Sequence, residues 1–473
     1  MKRQHPIFII KGLIDEIKSY IFPIVLFILF SFFGEDFVLI EDDWFLLVTL
    51  AFLFLGIVYA FLKWVFFKYQ VTHEAIKIHS GVLIKKQRHI KKERIQTIHL
   101  ESGLLYRAFK LTKLTIETAG NLNESEVSIE ALPLDEAHWI KKTLTENKKP
   151  VELNQEEVNQ DNLKTIKEID MTTLFKAGFT SGSVGIVMAL LFALIAQIIA
   201  FLPNGLETFF KDSYSRLGIS LIIILFLVYV FIAWIISIIR YVIRYAFFTV
   251  TKENDDLMVE RGLFVKKTLT LKLTRVQSII ITEGLLREPF NYASIEVEVA
   301  GGKTDKETEL TIIHPLIKKH QIDDFLNEVF SDYQLTKTFT YAPKRARMRF
   351  LFRNLIPYVL LTPVFIFFPL SLWVMLFLPV SILIALSQHK HAGYHLNDDT
   401  LTLSKRVIAK KTIITKKKHI QALSFKATFL QRFKSLSTIM IHILAAPKAK
   451  SYQVVDLSVS DQEMIYTWLS KEV

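Results

Sequence analysis

Two kinds of hydrophobic pattern divide this chain. Uninterrupted apolar runs occupy 20–33, 44–67, 183–202, 217–239 and 355–387. Between them lie stretches in which apolar and polar residues alternate. In TLTLKLT (Thr268 to Thr274), Leu269, Leu271 and Leu273 fall on one face and Thr268, Thr270 and Lys272 on the other. That period of two predicts a strand with one covered face. Alternation recurs at Lys113 to Thr118, Ile295 to Val299, Leu401 to Leu403 and Ile439 to Ile443. Segments with helical spacing follow the strands. One covers 133–144, with Leu134, Ala137, Ile140 and Leu144 in register, and a second covers 314–330, whose His-Pro-Leu start parallels Leu-Pro-Leu at 132–134. In the last, SVSDQEMIYTWL, Ser460 is expected to cap the helix and Glu463 to complete a capping box.

A frame of fixed spacing ties these stretches together. Gly262 precedes Arg275-Val276-Gln277, and Gly284-Leu285-Leu286 follows. At the same intervals Gly81 precedes Arg94-Ile95-Gln96, and Gly103-Leu104-Leu105 follows. A weaker third copy has Arg406 in the glycine position, then His419-Ile420-Gln421 and Thr428-Phe429-Leu430. Copies this widely and unequally spaced predict three related domains rather than a solenoid, whose repeats run about 20–50 residues.

The apolar runs read as membrane spans, each needing roughly 20 residues. The expected division is 1–68 for an N-terminal helix and first transmembrane hairpin, 69–147 for the first β domain and 148–182 for a polar linker. A second hairpin takes 183–244, a second β domain 245–330, a basic linker 331–354, a third hairpin 355–390 and a third β domain 391–473. Residues 5–20 have isoleucines at helical spacing and suit either an interfacial helix or a continuation of the first span. The 355–387 run, with Pro369 near its middle, suits two short spans or one tilted span. Lys2, Arg3, Lys11 and Lys18 precede the first span, and Lys63 and Lys68 end the second, whereas the loop GEDFVLIEDD between them has no Lys or Arg. Arg240 and Arg244, and later Lys344, Arg345, Arg347, Arg349 and Arg353, again mark the side that carries a β domain. The positive-inside rule then places both termini and all three β domains in the cytoplasm of a multi-pass plasma-membrane protein.

Composition sharpens this reading. The chain is 51% hydrophobic with 38 Phe, and its mean hydropathy is +0.32. It has no cysteine, which excludes disulfides, thiolate metal sites and a Cys nucleophile. The formal charge of +12 matches an anionic bilayer face, where each nearby Lys or Arg adds about 1 kcal/mol. Nucleic acid is not expected, because neither a recognition helix nor basic–aromatic interleaving is present.

On the Gly-Leu-Phe … Arg-Val-Gln-Ser-Ile … Gly-Leu-Leu pattern at 262–286, the chain resembles the bacterial PH-like domain family of membrane proteins, YdbS/YdbT type, and its long three-copy members in particular. The hairpin-then-domain order extends the resemblance over most of the chain. It implies a polytopic α-helical membrane protein with three β-rich PH-like barrel domains, each a curved barrel of about seven strands closed by a C-terminal helix. It implies no agreed enzymatic activity, and PH-like barrels bind lipids, peptides or proteins. Edge strands on such barrels suit a homo-oligomer or a shorter PH-like membrane partner.

The repeated pairs Arg94/Gln96 and Arg275/Gln277 either bind a lipid phosphate or partner backbone, or fasten their turn by hydrogen bonds. Lys266 and Lys267, with Lys85-Lys86 and Lys410-Lys411 at the same interval after the glycine position, suit anionic headgroups or a solvated face. Further runs are Lys91-Lys92 and Lys416-Lys417-Lys418. No metal is expected at His389, His391 and His395, which lack an acidic neighbour cluster, and no cofactor is expected. The Asp pairs 255/256, 323/324 and 398/399 read as solvated turn residues. Nucleotide, metalloprotease and serine-hydrolase signatures are missing, which argues against an enzyme. Gln197 is the one polar amide in spans otherwise short of ionisable groups, which argues against transport. The expectation is therefore a non-catalytic membrane-anchored binding or scaffold protein; the alternative is a lipid-handling or peptide/lipid export component. A role in envelope stress or in defence against membrane-active compounds is a physiological reading that no residue carries.

Overall fold

The computed structural model describes residues 1–15, 18, 44–72, 74–82, 84–118, 126–145, 164–201, 205–253, 255–300, 311–335, 338–362, 374–444 and 450–470. The expected first span at 20–33 and the acidic loop after it lie outside these.

The chain repeats one module three times. In the first, Lys2 bridges to Tyr69 and helix α1 (7–15) follows. Helix α2 (Trp44–Phe66) leads back to strands β1 (Lys68–Val71), β2 (Ala75–Ser80) and β3 (Lys86–Lys91). A 3-10 turn, Lys92–Arg94, swings the chain into β4 (Ile95–Ser102), then short helix α3 (Leu104–Ala108), β5 (Leu111–Thr118), β6 (Glu126–Pro133) and closing helix α4 (Leu134–Thr145). The second module opens with β7 (Lys164–Glu168), then helices α5 (Met171–Phe179), α6 (Val184–Phe201) and α7 (Gly205–Tyr245). Strands β8 (Thr249–Glu253), β9 (Asp256–Arg261) and β10 (Lys266–Lys272) lead through the turn Leu273–Arg275 to β11 (Val276–Glu283), β12 (Tyr292–Val299), β13 (Thr311–Lys318) and α8 (Ile322–Val329). The third has β14 (Thr340–Tyr341), antiparallel helices α9 (Arg347–Leu360) and α10 (Leu378–His391), and strands β15 (Gly393–Leu396), β16 (Thr400–Arg406) and β17 (Lys410–Lys416). It finishes with β18 (Ile420–Lys426), α11 (Phe429–Arg432), β19 (Leu436–Ile443), β20 (Lys450–Ser458) and α12 (Val459–Ser470).

Each module packs its first sheet, of three strands in module 1 and four in modules 2 and 3, against its second over one apolar core. In module 1 that core joins Tyr69, Ile76 and Ile78 to Leu114, Ile116 and Ile129, with Ala137, Ile140 and Leu144 of α4 closing it. Glycine is required where β2 turns into β3. Gly81 and Gly262 have φ of +106° and +111°, and a Cβ there would stand 2.0 Å from the carbonyl oxygen of Ile84 or Val265. At Arg406 no such φ is present, so the third copy can dispense with glycine.

The expected closed barrels are not found among the described residues; the sheets stay open and run from one module into the next. The order β6-β5-β4-β10-β9-β8-β7 joins modules 1 and 2, and β13-β12-β11-β17-β16-β15-β14 joins modules 2 and 3. At each seam the first strand of one module's second sheet pairs antiparallel with the last strand of the next module's first sheet. Thus Glu101 faces Lys267, and Thr282 faces Lys411. A sheet edge is a row of unpaired N–H and C=O groups, and pairing it with a neighbour removes the same liability that barrel closure would. The rows stop at three-stranded sheets β1-β2-β3 and β18-β19-β20.

Several local expectations shift. The stretch 148–182, read as linker, contains β7, which pairs with β8, and α5; the stretch 331–354 contains β14, which pairs with β15, and the start of α9. His314-Pro315-Leu316 sits in β13 rather than at a helix start, and its cross-strand pairing aligns His314 with Ile129, not Leu132. The last helix begins at Val459, and the Ser458 N–H donates to Asp461 Oδ2 at 2.9 Å, so the cap lies two residues before Ser460. Thr268 and Thr270 are buried despite the alternation, because β10 lies inside a sheet and α4 of module 1 spreads over its outer face; Lys141 of that helix reaches Met258.

Candidate functional site

The seams bring the repeated polar residues together. Lys267 Nζ stands 2.7 Å from Glu101 across the first seam, and Lys410 Nζ 2.9 Å from Glu283 across the second. Lys266 pairs with Glu260 of its own hairpin at 2.8 Å. At the second seam the Arg406 guanidinium also donates to Glu288 at 2.5 Å, and Tyr452 and Lys450 donate to buried Glu298. The matched lysines of modules 2 and 3 therefore meet carboxylates of the preceding module. Lys85 and Lys86, the same positions in module 1, stand exposed at the start of β3.

The Arg-x-Gln pairs are placed differently in the two copies. Gln277 is buried and its Nε2 donates to the Arg275 carbonyl at 3.2 Å, bracing its own turn. The Gln277 carbonyl accepts from Thr415 Oγ1 at 3.0 Å, with His419 Nδ1 at 3.2 Å, so its backbone belongs to the second seam. Arg275 is half-buried, and burial pulls its guanidinium below the usual arginine range. Arg94 is exposed at the end of its 3-10 turn, and Gln96 is the second residue of β4. The structure thus gathers Gln277, Thr415 and His419 at one point but does not bring Arg94 or Arg275 to a shared pocket.

A second set of contacts ties each helix pair to its own module. In module 1, Lys11 pairs with Glu130, which also accepts from Tyr106, while Ile7 and Phe8 pack beside Tyr106, Leu111 and Ala131. In module 2, buried Arg287 donates to the Ala177 carbonyl of α5 at 3.3 Å and reaches Tyr241 of α7. In module 3, Arg349 donates to buried Asp456 at 2.8 Å, with Arg353 at 3.5 Å. Lys11, Arg349 and Arg353, basic residues that the sequence assigns to membrane topology, are therefore also fasteners.

Apolar loop tips crowd the same ends of the helices. The β9–β10 turn is held on α7 by the Gly262 N–H to Ala246 carbonyl bond of 2.7 Å and the Leu263 N–H to Ile243 carbonyl bond of 2.9 Å. Arg107 of module 1 donates to the Leu263 carbonyl at 2.8 Å, and Gln388 of α10 to the Val407 carbonyl at 2.9 Å. From these turns Ile84, Phe264, Val407 and Ile408 project exposed, each next to the paired lysines. The Gly-Leu-Leu positions add Leu285 and Leu286, and module 3 adds Phe429, Leu430 and Phe433. This is a border of apolar tips backed by cations, set beside the span ends.

Among the described residues no group of three metal-ligating side chains occurs. His389 Nε2 is 3.1 Å from the Pro343 carbonyl and helps position α10, whereas His391 Nδ1 is 2.8 Å from the Ser387 carbonyl within that same helix. The Asp pairs lie at turns and in the first turn of α8; the Asp255 and Asp399 carbonyls each accept a backbone N–H from the turn that ends the first sheet. Sequence reasoning missed the glutamates that receive the seam lysines. Their signal is an acid one or two residues before the Gly-Leu-Leu glycine, Glu101 and Glu283, replaced in the third copy by Lys426 and Ala427.

Two helices, Ile223–Tyr245 and Val374–His391, are long and apolar enough to cross a membrane, and α5 with the start of α6 forms a third such unit bent by 63°. In pairs α6/α7 and α9/α10 the helices run antiparallel, linked by Ser183 to Ser237 at 2.8 Å and by Asn354 to Gln388 at 2.9 Å.

Comparison with known proteins agrees with this architecture. The family model for the bacterial PH domain matches three times, over residues 24–148, 182–330 and 353–473. The chain is 31% identical to the UPF0699 transmembrane protein YdbT of Bacillus subtilis (strain 168), over 100% of this chain and 98% of that one. No solved structure matches. Three matched repeats joined by two strand seams, and a relative similar from end to end, place this chain in the bacterial PH domain family of transmembrane proteins.

Proposed function

We propose that this chain is a non-catalytic scaffold of the plasma membrane, holding three PH-like modules in one row against the cytoplasmic face. The continuity of both long sheets across module boundaries carries this reading. A transporter would be served by modules and hairpins free to rearrange; here each hairpin is fastened to its module and each module to the next. Cytoplasmic placement rests on the basic residues at the module-side ends of the helices. The apolar tips with their adjacent lysines supply a surface for anionic headgroups, and the row of edge strands supplies one for a second copy or a shorter PH-like membrane protein.

The purified chain in vesicles tests the reading against a lipid-handling or export function. Fluorescent lipid and entrapped solute are expected to cross no faster than in empty vesicles. Binding to the outside of vesicles by inside-out protein is not the readout; movement across the bilayer by the chain alone overturns the scaffold. Removing the anionic lipid is expected to weaken contact of the loop tips with the surface, read as lost quenching of a probe at Ile408 by brominated lipid.

A further inference from the structure

The two seams define a rule, and the two ends of the row are the places where that rule is unfulfilled. At each seam the last strand of a first sheet, β10 or β17, lies against the first strand of a second sheet, β4 or β11. Paired in this way, β10 and β17 are mostly buried or half-buried. Strand β3 is the same strand of module 1, since Gly81 and Gly262 stand in the same place before it. Among the described residues β3 ends its sheet, and four of its six residues are exposed. Its sequence, KQRHIK, with Lys85 before it, has four cations and no acid over residues 85–91.

Resting on the scaffold reading, we propose that β3 is a docking edge for a PH-like module on a different polypeptide. That partner presents a carboxylate at one or both of the last two positions of the first strand of its second sheet. The chemistry is that of the seams, where Lys267 meets Glu101 and Lys410 meets Glu283.

A second copy of this chain does not supply such a strand. Among the described residues its only exposed edge of the right kind is β18, also at the end of its sheet. The seam registers place Ser102 opposite Lys266 and Glu101 opposite Lys267. Carried to the ends of the row, they set Ala427 opposite Lys85, Lys426 opposite Lys86 and Ser424 opposite Arg88. No Asp or Glu occurs anywhere in β18. Like charges directly opposite destabilise a strand pair, so the row of this chain does not extend itself.

The chain has no cysteine, so a disulfide trap can read this pairing cleanly. Full-length chain carrying Arg88→Cys is mixed in mild detergent with full-length chain carrying Ser424→Cys, and linked dimer is measured after gentle oxidation. With β18 otherwise unchanged, dimer is expected at background. With Lys426→Glu and Ala427→Glu added to the Ser424→Cys chain, two opposite-charge pairs replace one like-charge pair, and yield is expected to rise roughly tenfold. Lys85→Glu with Lys86→Glu on the other chain returns it to background. Circular dichroism and size exclusion confirm that every variant is folded. Equal trapping by the unaltered β18 makes a second copy the occupant and overturns the proposal. No rise with the acidic β18 overturns it as well. Failure here leaves the vesicle result intact, whereas lipid movement by the chain alone sinks the scaffold reading without changing the trap yield.

Discussion

His314 shows how one residue can set the acid sensitivity of a module. Both of its ring nitrogens are buried without a hydrogen-bond partner, and the ring lies edge-on to Phe325 at 5.2 Å. Burial, with a smaller contribution from Lys167, pushes its pKa down from 6.5 to about 3. The unfolded chain therefore takes up a proton that the native one resists. This contribution to stability is whole above about pH 6.5 and is lost as pH falls toward 3, by at most about 1.4 kcal/mol per pH unit. The other modules have Ile129 and Val454 at the paired position. His314→Ile is expected to flatten the pH dependence of thermal unfolding across that window and to raise stability near neutrality by about 1 kcal/mol. An unchanged pH profile would mean that another group sets it. The sequence displays His314 but not its burial, because the strand's last residues are read from the helix that follows. The same slip of a few residues displaced the expected cap from Ser458 and Asp461 to Ser460 and Glu463. Positions at the ends of elements depend on which backbone groups the tertiary fold leaves open, and local sequence does not contain that.

At the scale of elements, alternation found the strands and spacing found the closing helices, but neither could show which strands are neighbours. The TLTLKLT pattern is compatible with a barrel wall or with a strand shared between modules, since both cover one face of every residue pair. One exception to alternation held information: KQRHIK lacks the alternation that TLTLKLT keeps, and it lies at an end of the row. The Arg-x-Gln pairs were legible as a repeat and not as a site, because bracing a turn and binding a ligand select the same residue types. Glu101→Lys puts a cation opposite Lys267 and is expected to loosen the first seam by about 1 kcal/mol. Hydrogen exchange should rise in β4 and β10 while amides of β1, β2 and β5 keep their protection. Equal loss of protection throughout module 1 would show that the seam and the core unfold as one unit.

For the whole molecule, the repeat and the apolar runs announced three anchored modules, and the structure adds that they form one row. Single cysteines in this cysteine-free chain test its placement. Cysteine at Lys85 or at Lys434 is expected to react with a membrane-impermeant reagent only when the cytoplasmic side is opened. Labelling of intact cells at Lys434 alone would put the third module outside.

The seams also impose an order on synthesis. Strand β4 must wait for β10, which leaves the ribosome roughly 160 residues later, or about 10–30 s at ordinary elongation rates. During that interval module 1 exposes an acid-bearing edge while the second hairpin is still being inserted. A stalled or truncated chain would keep that edge open, able to capture β10 of a neighbouring full-length chain and so spoil two molecules at once.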